Sequence, residues 1–229
     1  MIDWHSHILP CVDDGSRNVE ESIKLLNLLA EQGVKTVVAT PHFIADNESA
    51  TSFINRRNTA FNKLKDFKMQ NNLNIVLGAE VQYYPGISRF AELKKLCIEN
   101  TNLLLLEMPI SIWTEYTVKE LIEIANTKNI TLILAHIERP FKLQPIKNIK
   151  RLIQEGILMQ SNATFFVEAR TKRKALSLLK NGYIHFLGSD CHNLHSRPPV
   201  IGRAMENIKN KLGEDFICQM NEYGNSILI

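Results

Sequence analysis

Long apolar runs are missing from this chain of 229 residues: no stretch approaches the roughly 20 residues that cross a bilayer. A secretory leader is not expected either, because Asp3 and His5 interrupt any apolar segment at the start and no basic residues precede them. Cysteine is scarce. Cys11, Cys97, Cys191 and Cys218 share no CxxC spacing, so the thiols are expected to be reduced and the protein cytoplasmic. No basic run reaches five residues; Lys172-Arg173-Lys174 is the densest patch and reads as a solvated helix face. A formal net charge of +3 is too small to argue for a nucleic-acid partner. No linker or low-complexity segment interrupts the chain, so residues 1–229 are read as one domain, and 45% hydrophobic residues supply its core. The oligomeric state is left open.

Short apolar runs alternate with helical patterns. Strands are expected at Met1–Trp4, Val34–Ala39, Asn74–Gly78, Leu103–Leu106, Ile130–Ala135, Ile157–Ser161 and Ile184–Gly188. Helices are expected at Val19–Gln32, Thr51–Met69, Ser88–Cys97, Thr117–Lys128, Ile146–Glu155, Arg170–Asn181, Ile201–Leu212 and Glu214–Glu222. Runs such as Leu103-Leu104-Leu105-Leu106 suit parallel strands buried on both faces. The pattern predicts an α/β fold, a distorted (β/α)7 TIM-like barrel, with an open doubly wound sheet as the runner-up.

Metal-competent side chains track the strand ends. His5 and His7 follow the first strand, His42 the second, Glu80 the third, Glu107 the fourth, His136 the fifth, and Asp190 and His192 the seventh. Only the sixth strand lacks one; Asn162 stands there instead. Taken singly, each is more often an ordinary surface or hydrogen-bonded residue. Together they fall at the C-terminal mouth of a barrel, where barrel enzymes build their sites. Asp14, Glu80, Glu107 and Asp190 bring four negative charges to that mouth. Two divalent ions balance them, and a third leaves the site positive and suited to a dianionic phosphate. Mixed oxygen and imidazole donors suit Mn²⁺, Fe²⁺ or Zn²⁺, with Mg²⁺ and Co²⁺ as further alternatives. His185 reads as structural and His195 as a loop residue.

His5-x-His7, His42, Glu80, Glu107, His136 and Asp190-x-His192 resemble the polymerase-and-histidinol-phosphatase (PHP) family. Ile2-Asp3-Trp4-His5-Ser6-His7-Ile8-Leu9-Pro10, Val12-Asp13-Asp14-Gly15, Gly78-Ala79-Glu80-Val81, Ala135-His136-Ile137-Glu138-Arg139 and the run from Ser189 to Pro199 are similar to one branch. That branch is the manganese-dependent protein tyrosine phosphatases of bacterial capsule and exopolysaccharide operons, the CpsB/CapC/YwqE type. The similarity spans the first residue to about residue 212. It implies a PHP-type barrel, three metal ions, and the phosphotyrosine-rich tail of a partner tyrosine autokinase as substrate. Cys191 departs from the Met or Ala common at its position, and Phe43 to Asn58 is not diagnostic.

The expected ligand partition is His5, His7, Glu80 and Asp190 for one ion. Glu80, Glu107 and His136 serve a second, and Asp14, His42 and His192 a third, with Glu80 or Glu107 bridging. Arg139 and Arg197 are candidate phosphate clamps, against salt bridges to Glu138 or Asp13 as the alternative. His42, His192 or a water is the candidate proton donor to the leaving group. Tyr83, Tyr84, Phe43 and Trp113 are candidates to flank an aromatic substrate.

Two rival phosphatase readings remain, beside a nuclease and a non-enzymatic, metal-stabilised interaction module. One is a small-molecule phosphatase such as a histidinol phosphatase. The other is a thiol-dependent phosphatase, since Cys191 to Arg197 fits Cys-x5-Arg. Against the thiol, Asp190 is adjacent and raises its pKa, and Pro198 and Pro199 supply no N–H donors.

Overall fold

The computed structural model describes residues 1–65 and 72–228. Its strands are β1 (Ile2–Ser6), β2 (Thr36–Ala39), β3 (His42–Phe43), β4 (Asn74–Leu77), β5 (Glu80–Gln82), β6 (Leu103–Glu107), β7 (Thr131–Ala135), β8 (Leu158–Asn162) and β9 (Phe186–Gly188). Every pairing among them is parallel. The helices are α1 (Val19–Glu31), α2 (Ala50–Asn62), α3 (Glu115–Thr127), α4 (Ile146–Gln154), α5 (Thr164–Val167), α6 (Lys172–Lys180), α7 (Ile201–Leu212) and α8 (Glu214–Leu228).

The second and third expected strands, Val34–Ala39 and Asn74–Gly78, are each followed past a break by a short strand that the sequence pattern does not include. Pro41 has no N–H to give a ladder, and the break between β2 and β3 falls there. That between β4 and β5 falls beside it, at Gly78-Ala79. Gly78 N–H still donates to Ala39 O (2.8 Å) and Glu80 N–H to Pro41 O (3.0 Å), so the two strand paths bend together rather than separate. The order β1-β2-β4 is thereby continued by β3-β5-β6-β7-β8-β9. The ring closes where Asp190 N–H donates to His5 O (2.8 Å) and His7 N–H to Cys191 O (3.0 Å). A closed seven-position barrel results, not the open sheet.

Alternation sorts the strand side chains. Leu103, Leu105, Ile133 and Ala135 join Ile2, Trp4 and Phe186 inside the barrel. Leu104, Leu106, Leu132 and Leu134 face the helix layer. Asn18 caps α1 by accepting from Glu21 N–H, Ser49 caps α2, and Thr114 caps α3. The last helix, α8, runs six residues beyond the expected Glu222. Ile227 and Leu228 pack on the interior cluster, and Tyr223 stacks on Phe186 at 5.7 Å. This element plugs the N-terminal mouth and leaves the C-terminal one open.

Two helix expectations need correction. Ser88–Cys97 forms two 3₁₀ turns, Ile87–Arg89 and Leu93–Leu96, because tertiary contacts override propensity: Ser88 N–H donates to buried Glu120 of α3 (3.2 Å). α2 ends at Asn62, not Met69; residues 66–69 of that expected helix, Phe67 among them, lie outside the described residues. The short α5 was not anticipated.

Candidate metal centre

The open mouth gathers all nine sequence-derived candidates. Asp14, His42, His192 and His7 form one group whose donor atoms lie within 4.8 Å of one another. The other groups are His5, His136 and Asp190; His5, His7 and Glu80; and His42, Glu80 and Glu107. Asp14, His42 and His192 stay together as expected, as do His5, His7 and Glu80, while the expected set of Glu80, Glu107 and His136 does not form one group. His7 joins the Asp14 set, His136 sides with His5 and Asp190, and Glu107 pairs with His42, its carboxylate standing 4.0 Å from His136 Nε2. Strand register decides this: β3 and β5 are paired with His42 opposite Glu80.

The orientation of the imidazoles is the telling feature. His7 Nδ1 lies 2.7 Å from Asp13 Oδ2, His136 Nδ1 2.9 Å from Asn162 Oδ1, His192 Nδ1 3.0 Å from the Asp190 carbonyl, and His5 Nδ1 3.2 Å from Gln160 Oε1. The amide orientations are set independently. Gln160 Oε1 also accepts from His136 N–H, while Asn162 Nδ2 donates to Asp190 Oδ2 (2.7 Å). Each acceptor calls for a proton on Nδ1 and turns Nε2 toward the common centre, as metal-bound histidines are held. His5 Nε2 and His7 Nε2 stand 3.1 Å apart, and Glu80 Oε2 lies 3.2 Å and 3.3 Å from them. Two ligands at right angles around an ion at about 2.1 Å are themselves about 3 Å apart. Among the described residues, Asp190 Oδ1 and His192 Nε2 are buried without a hydrogen-bond partner, and Glu80 Oε2 is surrounded by imidazole nitrogens, His42 Nδ1 standing 2.9 Å away. Buried polar atoms left this way are costly unless something else satisfies them. The donor set therefore fits divalent cations.

Electrostatics agree. Burial opposes charge on His7, yet Asp13 and Glu80 raise its pKa to about 10. Burial likewise opposes ionisation of Glu80, but His5, His136 and His42 hold its carboxyl well below the usual range. The centre strongly favours positive charge, and any cation must displace protons to enter. His192 is the exception: burial and His7 push it down to about 4.

Backbone strain marks the same place. His136 (φ 49°) and Asp190 (φ 51°) both adopt the left-handed region at strand ends. Two glycines allow close approach: a Cβ on Gly188 meets His5 Cβ at 2.4 Å, and one on Gly15 meets His7 O at 2.2 Å.

Arg139 and Arg197 pair with neither Glu138 nor Asp13. Both reach Asp190 Oδ2, at 3.3 Å and 2.7 Å, and Arg139 also reaches Glu107 (3.4 Å). They line a cavity of about 300 Å³ beside the cluster. Phe43, Trp113 and Tyr83 are buried, the Tyr83 hydroxyl donating to Glu120 Oε2 (2.8 Å); these rings pack instead of standing free. His185 Nδ1 accepts from Met159 N–H (3.0 Å), a structural bond, and His195 is an exposed loop residue.

The Cys-x5-Arg reading meets two obstacles. Cys191 is fully buried, and burial together with Asp3 and Asp190 pushes its thiol far up. The N–H groups of His195, Ser196 and Arg197 converge on Asn193 Oδ1 rather than on the sulfur.

A model of the capsular polysaccharide synthesis family CpsB/CapC matches residues 1–228. The chain belongs to that family. Among CpsB/CapC relatives, it is 30% identical to the tyrosine-protein phosphatase CpsB of Streptococcus agalactiae serotype III, over 96% of this chain and 94% of the relative. It is 27% identical to the tyrosine-protein phosphatase YwqE of Bacillus subtilis, over 100% and 91%. A solved structure from work on Bacillus subtilis YwqE and Streptococcus pneumoniae CpsB, described as metal-dependent tyrosine phosphatases, superposes with a TM-score of 0.85 at 23% identity. It covers 100% of this chain and 94% of that one. The CpsB/CapC fold thus accounts for the barrel.

Asp13, Gln160 and Asn162 were not identified from sequence as imidazole holders. Their only signal was polarity where burial was expected: Gln160-Ser161-Asn162 ends a buried strand. Asp3 is a further residue not identified from sequence, and it holds the Ser189 backbone and hydroxyl rather than an imidazole. It is fully buried, accepts from Ser189 N–H (2.7 Å) and Oγ–H (2.6 Å), and burial raises its pKa to about 6.

Proposed function

We propose that this chain is a metal-dependent phosphoric monoester hydrolase that removes phosphate from protein phosphotyrosine in capsular or exopolysaccharide synthesis. The tail of a tyrosine autokinase is its substrate. The supporting observation is the convergence of four Nε2 atoms with Glu80 and Asp190, each imidazole held through Nδ1. The names of its CpsB and YwqE relatives point the same way.

His5, His7, Asp14, His42, Glu80, Glu107, His136, Asp190 and His192 would hold the ions, for which Mn²⁺ is the first candidate and three the expected number. Divalent ions, when bound, acidify water and polarise phosphoryl oxygens. The remaining work falls to this chain's own groups. Arg139 and Arg197 present guanidinium forks to the phosphate from the adjoining cavity. Asp190 divides its labour: Oδ2 takes Arg197 and Asn162, leaving Oδ1 turned to the centre. His42 has 30% of its side chain exposed and is raised in pKa by Glu80 against the effect of burial. Because His42 and His192 are both counted among the ion-holding side chains, and both His42 nitrogens face the cluster, the proton for the departing phenolate is assigned to a water at the mouth.

The test is metal content plus turnover of a phosphotyrosine peptide beside histidinol phosphate. Activity lost with a chelator, restored by Mn²⁺ and kept in Cys191→Ser supports the reading. Activity of a metal-free preparation, or its loss in Cys191→Ser with metal present, defeats it.

A further inference from the structure

Glu107 ends β6, and residues 108–114 then lead to α3. This loop carries the two most exposed large aliphatic side chains among the described residues, Ile110 at 64% and Ile112 at 71%. Their exposure is not slackness. Gln144 clamps the loop, accepting from Trp113 N–H (3.0 Å) and donating to Ser111 O (2.6 Å). Trp113 is buried beneath, its Nε1–H donating to Pro109 O (3.2 Å). A held backbone thus presents apolar groups that nothing among the described residues covers.

Between this loop and β5 lies a cavity of about 220 Å³, lined by Gln82, Tyr83, Glu107, Met108, Pro109 and Ile110. Glu107 belongs to both places, since its carboxylate also groups with His42 and Glu80. The cavity therefore adjoins the metal centre at Glu107. The other cavity at the centre carries the two arginines assigned to the phosphate, Arg139 and Arg197, with Glu138, Asn162 and Asp190 beside them and Pro198 and Val200 completing its lining.

An aryl phosphate places its ring one oxygen away from phosphorus, so the ring must leave the centre along one of these walls. Against the charged wall, it strips water from groups it cannot pair. Against Pro109 and Ile110, with buried Met108 behind them, it buries apolar surface. Size permits it, because a cavity of about 150 Å³ already accommodates benzene. We propose that the Met108-Pro109-Ile110 wall is the subsite for the tyrosyl ring, with Ile110 as the residue that favours an aryl over a ring-free phosphate. This rests on the phosphatase reading above.

The test uses the full chain loaded with Mn²⁺, comparing wild type, Ile110→Ser and Ile110→Met. Ile110 is exposed, so neither change disturbs folding. Two quantities are read: kcat/KM for a phosphotyrosine peptide, and the inhibition constant of inorganic phosphate, which has no ring. Ile110→Ser is expected to lower kcat/KM about tenfold while the phosphate constant stays within about twofold, and Ile110→Met to recover most of the loss. Equal change in both quantities, or no loss of kcat/KM, overturns the subsite while leaving the phosphatase reading in place. A wild-type protein that releases no phosphate from the peptide with any divalent ion removes both.

Discussion

Replacing Asp13 by Asn tests the orientation of the metal centre with almost no change in shape. Asp13 Oδ2 accepts from His7 Nδ1–H at 2.7 Å and from His42 N–H at 3.0 Å, while Oδ1 accepts from Gly15 N–H at 3.0 Å. All three partners are donors, and an amide offers them only one oxygen. If the amide nitrogen faces His7, the imidazole must carry its proton on Nε2, the atom that points to the centre. If it faces Gly15, that N–H loses its partner, and His7 keeps only a neutral acceptor. Removing such an outer partner lowers metal affinity about 10- to 100-fold, or about 1.4–2.8 kcal/mol. The assay is a Mn²⁺ titration of the metal-stripped protein, with circular dichroism to establish that the variant is folded. The expected result is weaker binding at the His7 group and a comparable fall in kcat/KM. A folded Asp13→Asn with unchanged affinity, stoichiometry and turnover refutes the argument that the Nδ1 partners set the site.

Three further outcomes are expected. Gly188→Ala drives a methyl into His5 Cβ (2.4 Å) and Gln160 Nε2 (2.7 Å), so it should cost about 1–3 kcal/mol in a denaturant melt and displace His5; wild-type stability and activity would contradict the close packing. Arg197→Ala removes a charge-assisted bond worth about 1.5–3 kcal/mol and should lower kcat/KM for phosphopeptide about 10- to 100-fold, with Lys a poor substitute because it lacks the fork; full rescue by Lys argues against bidentate phosphate binding. His185 is held near 4 by burial, from an ordinary 6.5. The unfolded chain takes up this proton first, so stability is fully present above pH 6.5 and is lost as pH falls toward 4, by at most about 3 kcal/mol. His185→Gln should flatten that part of the stability–pH curve, and an unchanged slope would contradict the assignment.

The family's chemistry was legible in the residues themselves because strand ends in a parallel barrel converge on one mouth. His5, His42, Glu80, Glu107, His136 and Asp190 each stood at the end of an apolar run, and that spacing alone placed them at the same rim. Helix and strand positions also read directly, since the apolar run Leu103–Leu106 and the helical spacing of Ile23, Leu26, Leu29 and Ala30 are local properties. What needed the folded chain was everything depending on contacts between distant segments. Glu120 decided that Ser88–Cys97 would be 3₁₀ turns, and the paired breaks at Pro41 and Gly78-Ala79 set His42 against Glu80. Gln160, 155 residues from His5, fixes the ring of that histidine. Residue type determined which atoms are able to bind a cation; only closure of the barrel decided which of them meet, and which hydrogen-bond acceptor turns each one inward.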